Sequence, residues 1–472
     1  MSLLITGATL IDGTAAAPIE QQSIWIEEGR IKAIARRDEL RVPPSVTVID
    51  ARGQYLIPGL MNANVHLFAA FTVETIIRHM GRYEDLIAEA AQVALKVGFT
   101  TVFDTWGPRR ALMTVRDRID AGTLPGSRIF CAGNILGFDG PFSPDFLPKA
   151  AEVVSPILTN KVNAMWVENV GRHLMWLTPE RVAEETRTYI AKGIDFIKYA
   201  SNDHYPGAFL SFSPRVQAAI VEEAHRAGLT AQAHSLSVEG LRIAIEAGCD
   251  LITHCNVTGP VPIPESTLDL FGKRKTGAVV FAWTQRGLDW VRENCADLDW
   301  DIADANARSL IRSDAMLLLA NDGAIYPPEM ASDPAWAKWS VGAPAEFNLF
   351  SLTQGHFMWF KAMEEKGCAP MRMLQAATRN IAVAYGKDKD LGTLEPGKIA
   401  DLLILDKNPL QAAENYRSIR TIIKAGVVVD RDALPLNPIL TKPAEGPTEE
   451  EASYRPFVSA TKLPLCPMCM RH

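Results

Sequence analysis

The feature of this sequence that most constrains its fold is a regular alternation of short apolar segments with longer amphipathic ones, which begins near Leu60. The longer segments, such as LIAEAAQVALKV and VQAAIVEEAHRA, have helical periodicity and are followed by glycine, as helix C-termini commonly are. Strands that alternate with helices must pair in parallel through crossover connections. The segments with strand character are LMNANVHL, GFTTVFDTW, SRIFCAGN, GIDFIKYAS, GLTAQAHS, CDLITHCN, GAVVFAWT and AMLLLANDG. These eight repeats predict an α/β fold, a closed (β/α)8 TIM barrel.

The two ends of the chain have a different texture, which predicts a second, smaller unit. Near the start, LLITGATLIDG, SIWIEEGRIKAIA and VTVIDARGQYLIPG are β-branched runs separated by turn residues. After the barrel, GTLEPGKIADLLILD and TIIKAGVVVD return to this texture, so we expect their strands to join the N-terminal ones. The sequence therefore predicts a small β-sandwich built from residues 1–59 and 390–435, a barrel in residues 60–389 and a C-terminal arm in residues 436–472.

Composition narrows the class of protein and of partner. The 472 residues are 47% hydrophobic and 22% charged, as in globular proteins, and the formal net charge is −7. A mildly acidic chain offers no electrostatic footprint for nucleic acid or an anionic membrane, so we expect a small-molecule substrate. The sequence has neither an apolar run of the ~18–20 residues that a membrane span needs nor a signal-peptide pattern, which predicts a cytoplasmic protein. Many barrels of this size associate, so we expect a homo-oligomer.

Polar side chains lie at the C-terminal ends of several of the predicted strands. Chemistry gathers at the C-terminal ends of barrel strands, so residues at these ends should surround one site. Asn64 lies two residues before a strand-end histidine, and in an extended strand residues two apart point to the same face. Imidazole nitrogens together with a carboxylate oxygen suit a divalent transition metal such as zinc or iron(II). The sequence predicts a site for one or two such ions with these candidate ligands: Asn64, His66, Lys198, His234, His254 and Asp322.

Seven short pieces of the chain carry information through their joint order and spacing. They are YLIPGLMNANVHL, GFTTVFD, IKYAS, AQAHS, ITHCN, LANDG and GTLEPGKIADLLILD. In this order they resemble the metal-dependent amidohydrolase superfamily, from the N-terminus to about Asp430. An unmodified ammonium at Lys198 would repel a cation, whereas the resemblance implies that this lysine is carboxylated to a carbamate bridging the metal site. It also implies that His234 and His254 bind the second metal position and that Asp322 is both a ligand and a proton shuttle.

The first metal-binding motif departs from the superfamily pattern. Most members open with His-x-His, whereas this chain has Asn64-Val65-His66. A neutral amide oxygen is a poorer donor for zinc than an imidazole, so a metal held by Asn64 should bind weakly. Asn64 could instead hydrogen-bond a neighbouring ligand or a water molecule. The Asn-x-His form is similar to the subgroup of bacterial phenylurea hydrolases, with molinate hydrolase nearby, and implies an N-aryl urea or related carbamoyl substrate.

A urea or amide carbonyl is a poor electrophile with a poor leaving group, so its hydrolysis needs help at both atoms. A bound metal lowers the pKa of water and polarises the carbonyl oxygen. We expect Lys198 and Asp322 to be catalytic, with Asp322 taking a proton as general base and passing it to the departing nitrogen. His204, just beyond Lys198, is placed to donate to the carbonyl oxygen or the oxyanion. Aromatic residues near the strand ends predict an apolar substrate pocket: Phe68, Trp106, Tyr205 and Trp283.

Other functions fit the same residues. Within the hydrolases, a thiocarbamate hydrolase of the molinate type, a prolidase-like peptidase or a deaminase remains open, because a fold does not determine its substrate. A non-catalytic barrel scaffold is a different class, kept open by the altered Asn64, although a scaffold has no use for a buried Lys198. At the C-terminus, Cys466, Cys469 and His472 have metal-ligand spacing but supply less than a four-ligand zinc site, so we expect an exposed end without function.

Overall fold

The strands of the computed structural model fall into three groups along the chain, and the structure describes residues 2–68, 73–146, 154–204, 209–295, 298–328 and 340–443. The first group comprises β1 (Ser2–Leu10), β2 (Ile19–Glu27), β3 (Arg30–Arg36), β4 (Thr47–Asp50) and β5 (Tyr55–Pro58). The second comprises β6 (Leu60–Val65), β7 (Phe99–Asp104), β8 (Arg128–Cys131), β9 (Ile197–Ala200), β10 (Ala231–His234), β11 (Leu251–Thr253), β12 (Gly277–Val280) and β13 (Met316–Leu319). The last comprises β14 (Leu402–Leu405), β15 (Ile419–Lys424) and β16 (Val427–Val428).

The second group consists of the strands that the alternating pattern predicts, one in each of the eight predicted segments. Their ladders are parallel: β6, β7 and β8 form one sheet, and β9 to β13 form another in chain order. Between β8 and β9 an isolated bridge joins Leu136 to Tyr199, and between β13 and β6 another joins Val65 to Gly323. The described strands therefore pair as two sheets linked by bridges, whereas the sequence predicts one closed ladder. Leu136 and Gly323 lie beyond the ends of β8 and β13, so the ladder is not continuous there.

Amphipathic helices alternate with these parallel strands and bury one face. In the helix Tyr83–Lys96, Leu86, Ile87, Ala90 and Ala94 are buried at helical spacing, while Asp85 is exposed. Within the described ranges, no helix combines the length and the apolar character needed to cross a membrane. The α-helices span Val73–Arg78, Tyr83–Lys96, Arg109–Asp120, Pro156–Val167, Pro179–Ile190, Pro214–Arg226, Val238–Glu246, Glu265–Arg274, Gln285–Asn294, Trp300–Arg312, Gly355–Glu365, Pro370–Ala376 and Arg379–Ala384. Short 3-10 helices span Arg37–Glu39, Arg172–Trp176, Ser340–Gly342 and Ala413–Arg417.

The first and last groups of strands pair with each other in a single mixed sheet. Its order is β16-β15-β14-β5-β1-β2-β3, with β4 paired to β1. The two chain ends meet where β14 runs antiparallel to β5, for example where Leu403 pairs with Ile57. A separate apolar core includes Ile5, Leu56 and Ile404 from this sheet. Both chain ends thus contribute to one sheet, while the sandwich form and the division of the chain into four parts stay predictions.

The described start of the predicted C-terminal arm is hydrogen-bonded to a barrel helix. Gln92 Oε1, on the helix Tyr83–Lys96, accepts a hydrogen bond from the backbone N–H of Leu436 at 2.8 Å. Glu89, one helical turn earlier and 1% exposed, accepts one from the backbone N–H of Leu440 at 2.8 Å. These bonds satisfy a buried carboxylate, which would be costly without them. Three tail residues singled out in the sequence lie outside the described residues: Cys466, Cys469 and His472.

Gly355, the first residue of the helix Gly355–Glu365, lies too close to its neighbours to carry a side chain. A Cβ atom there would collide with the carbonyl oxygen of Leu349 and the side-chain amide of Asn321. We expect Gly355→Ala to lower the free energy of unfolding by about 3 kcal/mol, because a backbone carbonyl cannot rotate away as a flexible side chain can. Urea unfolding monitored by circular dichroism measures this change.

Gly272 offers the matched control. It lies inside the helix Glu265–Arg274, and a Cβ atom added there would be 3.5 Å from Asp314 Cβ, an ordinary contact. Gly272→Ala should leave stability unchanged or raise it by up to about 1 kcal/mol through helix propensity. Equal effects of the two substitutions would contradict the close approach at Gly355.

Candidate active site

One cavity at the carboxyl ends of the parallel strands gathers most of the predicted site residues. Its volume is about 30 Å³, enough for a water molecule or an ion. All six predicted metal ligands line it, and so do the predicted catalytic residue His204 and the predicted substrate-binding residue Trp106. Side chains distant in sequence meet here because parallel strands end at the same edge. The lining residues are Asn64, His66, Thr105, Trp106, Ile135, Phe146, Lys198, His204, His234, His254 and Asp322.

Three imidazoles in mutual contact form one side of the cavity. His254 Nδ1 lies 3.0 Å from the carbonyl oxygen of Ser235, which can only accept, so Nδ1 carries the proton of a neutral ring. His254 Nε2 then accepts a hydrogen bond from His234 Nδ1 at 3.1 Å. This leaves the lone pair of His234 on Nε2, a buried atom with no hydrogen-bond partner of normal geometry. The ring of His204 stacks on His234 with centroids 4.9 Å apart.

Burial keeps these imidazoles neutral. Removal from water lowers the pKa of His66 and that of His204 to about 3, because the protein interior solvates an imidazolium poorly. The same burial holds the pKa values of His234 and His254 well below their usual range. Each ring therefore has a lone pair at neutral pH, which a metal ion or a proton donor can use.

Lys198 and Asp322 are a buried pair of opposite charge type. Lys198 is 2% exposed, and its Nζ donates a hydrogen bond to Thr253 Oγ1. Burial lowers the pKa of Lys198 and raises that of Asp322, while the attraction between the two groups opposes both shifts. Asp322 Oδ1 also lies 3.9 Å from His66 Nε2. A buried lysine with a lowered pKa is more often an unprotonated amine, the form that can react with carbon dioxide, and carboxylation of Lys198 stays a prediction.

Asn64 contacts other site residues through both atoms of its side-chain amide. Its Nδ2 donates a hydrogen bond to Asp322 Oδ1, and its Oδ1 accepts one from Thr105 Oγ1. Of the two roles that the sequence leaves open for Asn64, this pattern is that of a hydrogen-bond partner. Direct coordination of a metal by Asn64 stays a prediction.

Two site residues have a backbone conformation that residues other than glycine seldom adopt. His254 has φ 37° and Asp322 has φ 46°, both in the left-handed region. Such conformations cost about 1–3 kcal/mol each and persist where surrounding contacts hold them. Next to Asp322, the Asn321 side chain accepts a hydrogen bond from Asn62 Nδ2 and donates one to the carbonyl oxygen of Leu349, both at 2.7 Å. These bonds fix the segment that carries Asp322.

Trp106 is the predicted substrate-binding residue that lines the cavity. It stacks on Phe146 with ring centroids 4.2 Å apart and an interplanar angle of 26°. It also meets the His66 ring edge-on, with centroids 6.1 Å apart. The two stacked rings form an apolar wall beside the polar groups of the cavity.

Phe68 and Trp283, also predicted to bind substrate, do not line the cavity. Phe68 is 2% exposed and packs on Tyr83 with centroids 4.2 Å apart. Trp283 is 3% exposed and packs on Trp300 with centroids 5.0 Å apart. Large apolar rings gain the most from leaving water, and here both fill the core. Binding of substrate by Phe68 and Trp283 stays a prediction, and Tyr205 lies outside the described residues.

Four residues at the site were not predicted: Thr105, Ile135, Phe146 and Thr253. Thr105 directly follows β7 and Thr253 ends β11, so the rule that polar strand ends surround the site could have found both. Ile135 and Phe146 lie in the segment after β8. No pattern in that segment distinguishes an apolar residue that lines a cavity from one that packs in the core.

Asp104, the last residue of β7, is a buried carboxyl group directly before Thr105. Its Oδ2 accepts a hydrogen bond from the backbone N–H of Leu67 at 2.7 Å, and burial raises its pKa to about 8. A raised pKa in the folded state means that folding favours the protonated form. The stability from this group is therefore complete below the ordinary carboxyl pKa of about 4 and is lost as the pH rises to about 8.

Asp104→Asn removes this titration and keeps an oxygen acceptor for Leu67. Relative to this variant, the native chain should lose up to about 1.4 kcal/mol of stability per pH unit from about pH 5 to about pH 8. Urea unfolding of both proteins across this range measures the difference, and Asp85→Asn, at an exposed carboxyl group, is the control. A stability difference between the native chain and Asp104→Asn that stays constant with pH would contradict the raised pKa.

Comparison with known proteins decides the family. Residues 55–429 match the model of the Amidohydrolase family. This chain belongs to the Amidohydrolase family. The resemblance that the ordered sequence pieces indicate is thereby confirmed.

Solved structures of related hydrolases match this amidohydrolase over nearly its whole length. The structure of molinate hydrolase is 34% identical, covers 95% of this chain and 98% of its own, and has a TM-score of 0.87. That of phenylurea hydrolase B is 33% identical, covers 94% of this chain and 100% of its own, and has the same TM-score of 0.87. Ochratoxinase of Aspergillus niger is 24% identical over 387 residues, which are 78% of this chain and 73% of that protein. The family and the two solved structures imply a TIM-barrel fold.

Amidohydrolases of this family are generally metal-dependent. In the part of the chain that the structure describes, no three His, Cys, Asp or Glu side chains form a ready-made metal group. The chemistry of the donors nevertheless fits a divalent ion, because the imidazoles are neutral and line one cavity. Asp322, in the segment that follows β13, adds a carboxyl oxygen to the lining of the cavity.

Proposed function

We propose that this amidohydrolase is a metal-dependent enzyme that cleaves the C–N bond of a urea or amide in a hydrophobic, N-aryl substrate. The observation that carries the proposal is the meeting of neutral imidazoles, a buried lysine and a buried carboxyl group in one cavity. The likeness to phenylurea hydrolase B supports the substrate class. One or two divalent ions, such as zinc or iron(II), would be held by these residues, with Lys198 in carboxylated form: His66, Lys198, His234, His254 and Asp322.

Asp322 would carry the proton during hydrolysis. A divalent metal, when bound, lowers the pKa of water and polarises a carbonyl oxygen. Asp322 would accept a proton from the attacking water and deliver it to the departing nitrogen. Burial raises the pKa of Asp322, which makes both of its protonation states accessible near neutral pH. Asn64 would orient this carboxyl group through the hydrogen bond to Oδ1.

His204 would act on the carbonyl oxygen of the substrate. Its ring lines the cavity and stacks on His234, which fixes the plane of the ring. Because its pKa is lowered to about 3, His204 would act as a neutral N–H donor and not as an imidazolium. A hydrogen bond to a developing oxyanion is strongest where water is excluded, as in this cavity.

The described wall of the cavity suits an uncharged aromatic group. Trp106 and Phe146 are stacked on each other, and Ile135 adds an aliphatic surface. Aromatic rings bind other rings by offset or edge-on stacking in addition to the hydrophobic effect. The described lining residues include no arginine that could pair with a substrate carboxylate, which favours an uncharged substrate over a dipeptide.

A thiocarbamate hydrolase is the second candidate. The likeness to molinate hydrolase equals that to phenylurea hydrolase B, with a TM-score of 0.87 for each. A thiocarbamate places the carbonyl carbon between nitrogen and sulfur, so Asp322 and His204 could act on it in the same way. A non-catalytic scaffold is disfavoured, because burial of Lys198 to 2% exposure costs free energy that a scaffold does not recover.

Removal of the central residues or of the metal should abolish hydrolysis. Lys198→Ala and Asp322→Asn should each lower kcat for an N-aryl urea by at least about 10³-fold, since one removes a metal-site residue and the other the proton carrier. A chelator should remove activity, and added zinc(II) or iron(II) should restore it. Release of the arylamine measures the rate, with a thiocarbamate and an Xaa-Pro dipeptide as alternative substrates.

His225→Ala is the control, because His225 is partly exposed on the helix Pro214–Arg226 and contacts Asp250 at 2.9 Å. This variant should keep the native rate. Faster turnover of the thiocarbamate than of the urea would select the second candidate. A purified protein that holds no transition metal and keeps its activity after both central substitutions would overturn the proposal.

A further inference from the structure

Three buried polar side chains from different parts of the chain form a continuous hydrogen-bonded series at the cavity. Thr105 Oγ1 donates to Asn64 Oδ1, and Asn64 Nδ2 donates to Asp322 Oδ1. Thr105 is 0% exposed, Asn64 is 1% exposed, and the side chain of Asp322 is 17% exposed. The bond between Thr105 and Asn64 is therefore shielded from bulk water.

The direction of each hydrogen bond in this series follows from its ends. The amide group of Asn64 presents its nitrogen to Asp322, whose Oδ1 accepts the hydrogen bond. The amide oxygen then faces Thr105, whose hydroxyl group must donate. In this orientation the oxygen of Asn64, the atom that would bind a metal, accepts the hydrogen bond of the Thr105 hydroxyl group.

Backbone hydrogen bonds hold the three residues in place independently of this series. The backbone N–H of Thr105 donates to the carbonyl oxygen of Val65 at 3.2 Å, and that of Asn64 donates to Asn62 Oδ1 at 3.1 Å. The backbone N–H of His66 donates to the carbonyl oxygen of Gly323 at 3.0 Å. The ends of β6 and β7 and the segment after β13 are thus tied together, which leaves the side-chain amide of Asn64 as the adjustable element.

We propose that Thr105 is a positioning residue that sets the orientation of the Asn64 amide, so that Asn64 holds the carboxyl group of Asp322 and does not bind a metal. Without the Thr105 hydroxyl group, the Asn64 oxygen would lose the hydrogen bond that holds the amide on that side, and the amide would be fixed less firmly. Asp322 would then lose its fixed orientation. The effect on catalysis rests on the proposed function, whereas the coupling between Thr105 and Asn64 does not.

Two substitutions of Thr105 separate the hydroxyl group from the space that the side chain fills. Thr105→Val keeps the shape and removes the donor, and Thr105→Ser keeps the donor. We expect Thr105→Val to lower kcat by about 10- to 100-fold with KM changed less than about twofold, and Thr105→Ser to stay within about threefold of the native kcat. Thr100→Val, at a buried threonine on β7 that packs against Gly59, is the matched control and should keep the native kcat. Equal losses in Thr105→Val and Thr105→Ser would overturn the proposal.

Thermal unfolding of the metal-free protein tests the coupling without any substrate. A double-mutant cycle compares Thr105→Val, Asn64→Ala and the variant that carries both substitutions. The decrease in Tm of the double variant should be smaller than the sum of the two single decreases by a few degrees. A difference of about this size is expected for residues in direct contact. Additive decreases would overturn the proposal even if the enzyme hydrolyses an N-aryl urea. A non-additive cycle in a protein that hydrolyses none of the tested substrates would support the coupling and reject the proposed function.

Metal content distinguishes a hydrogen-bonding Asn64 from a ligand. Asn64→Ala and Thr105→Val should bind as many transition-metal ions per chain as the native protein, measured by elemental analysis after loading with zinc(II) or iron(II). Asp322→Asn is the comparison, because Asp322 is one of the proposed ligands. Loss of an ion in Asn64→Ala but not in Thr105→Val would show that Asn64 is a ligand and would overturn the proposal.

Discussion

Burial of the polar side chains around a cavity of about 30 Å³ is the constraint on which the rest of the site depends. Ionisable side chains could not share such a space in fully charged form, because desolvation penalises every charge. Burial holds His66 and His204 neutral, with pKa values of about 3, and shifts the pKa values of Lys198 and Asp322 toward each other. The cavity thus presents uncharged donors that are ready to bind a cation or a polarised carbonyl group, at a place where electrostatic interactions are strong.

The fold serves this site by fixing the chain immediately after each strand. His254 and Asp322 have left-handed backbone conformations, which few contacts would maintain in an isolated segment. The hydrogen bond between Asn62 and Asn321 links the strand β6 to the segment that follows β13, at the junction where the ladder itself is not continuous. The backbone N–H of His66 also donates to the carbonyl oxygen of Gly323 here, so backbone and side-chain hydrogen bonds together link β6 to the segment that carries Asp322.

The comparisons separate what is common to the family from what is particular to a substrate. Molinate hydrolase and phenylurea hydrolase B match this chain equally well, and their names refer to different substrates. The common fold accordingly supplies the arrangement of strand ends, and this arrangement does not by itself determine the substrate.

Local patterns in the sequence were sufficient to predict β6 to β13 and the polar residues at their ends, because periodicity and chain position are properties of short segments and parallel strands end at one edge. The sequence could not place Phe68 and Trp283, since an aromatic ring faces a cavity or the core according to what packs around it. The contacts of Asn64 could likewise not be predicted from the sequence. They are set by Thr105, 41 residues away, and Asp322, 258 residues away, and only the tertiary structure brings these partners to the same amide.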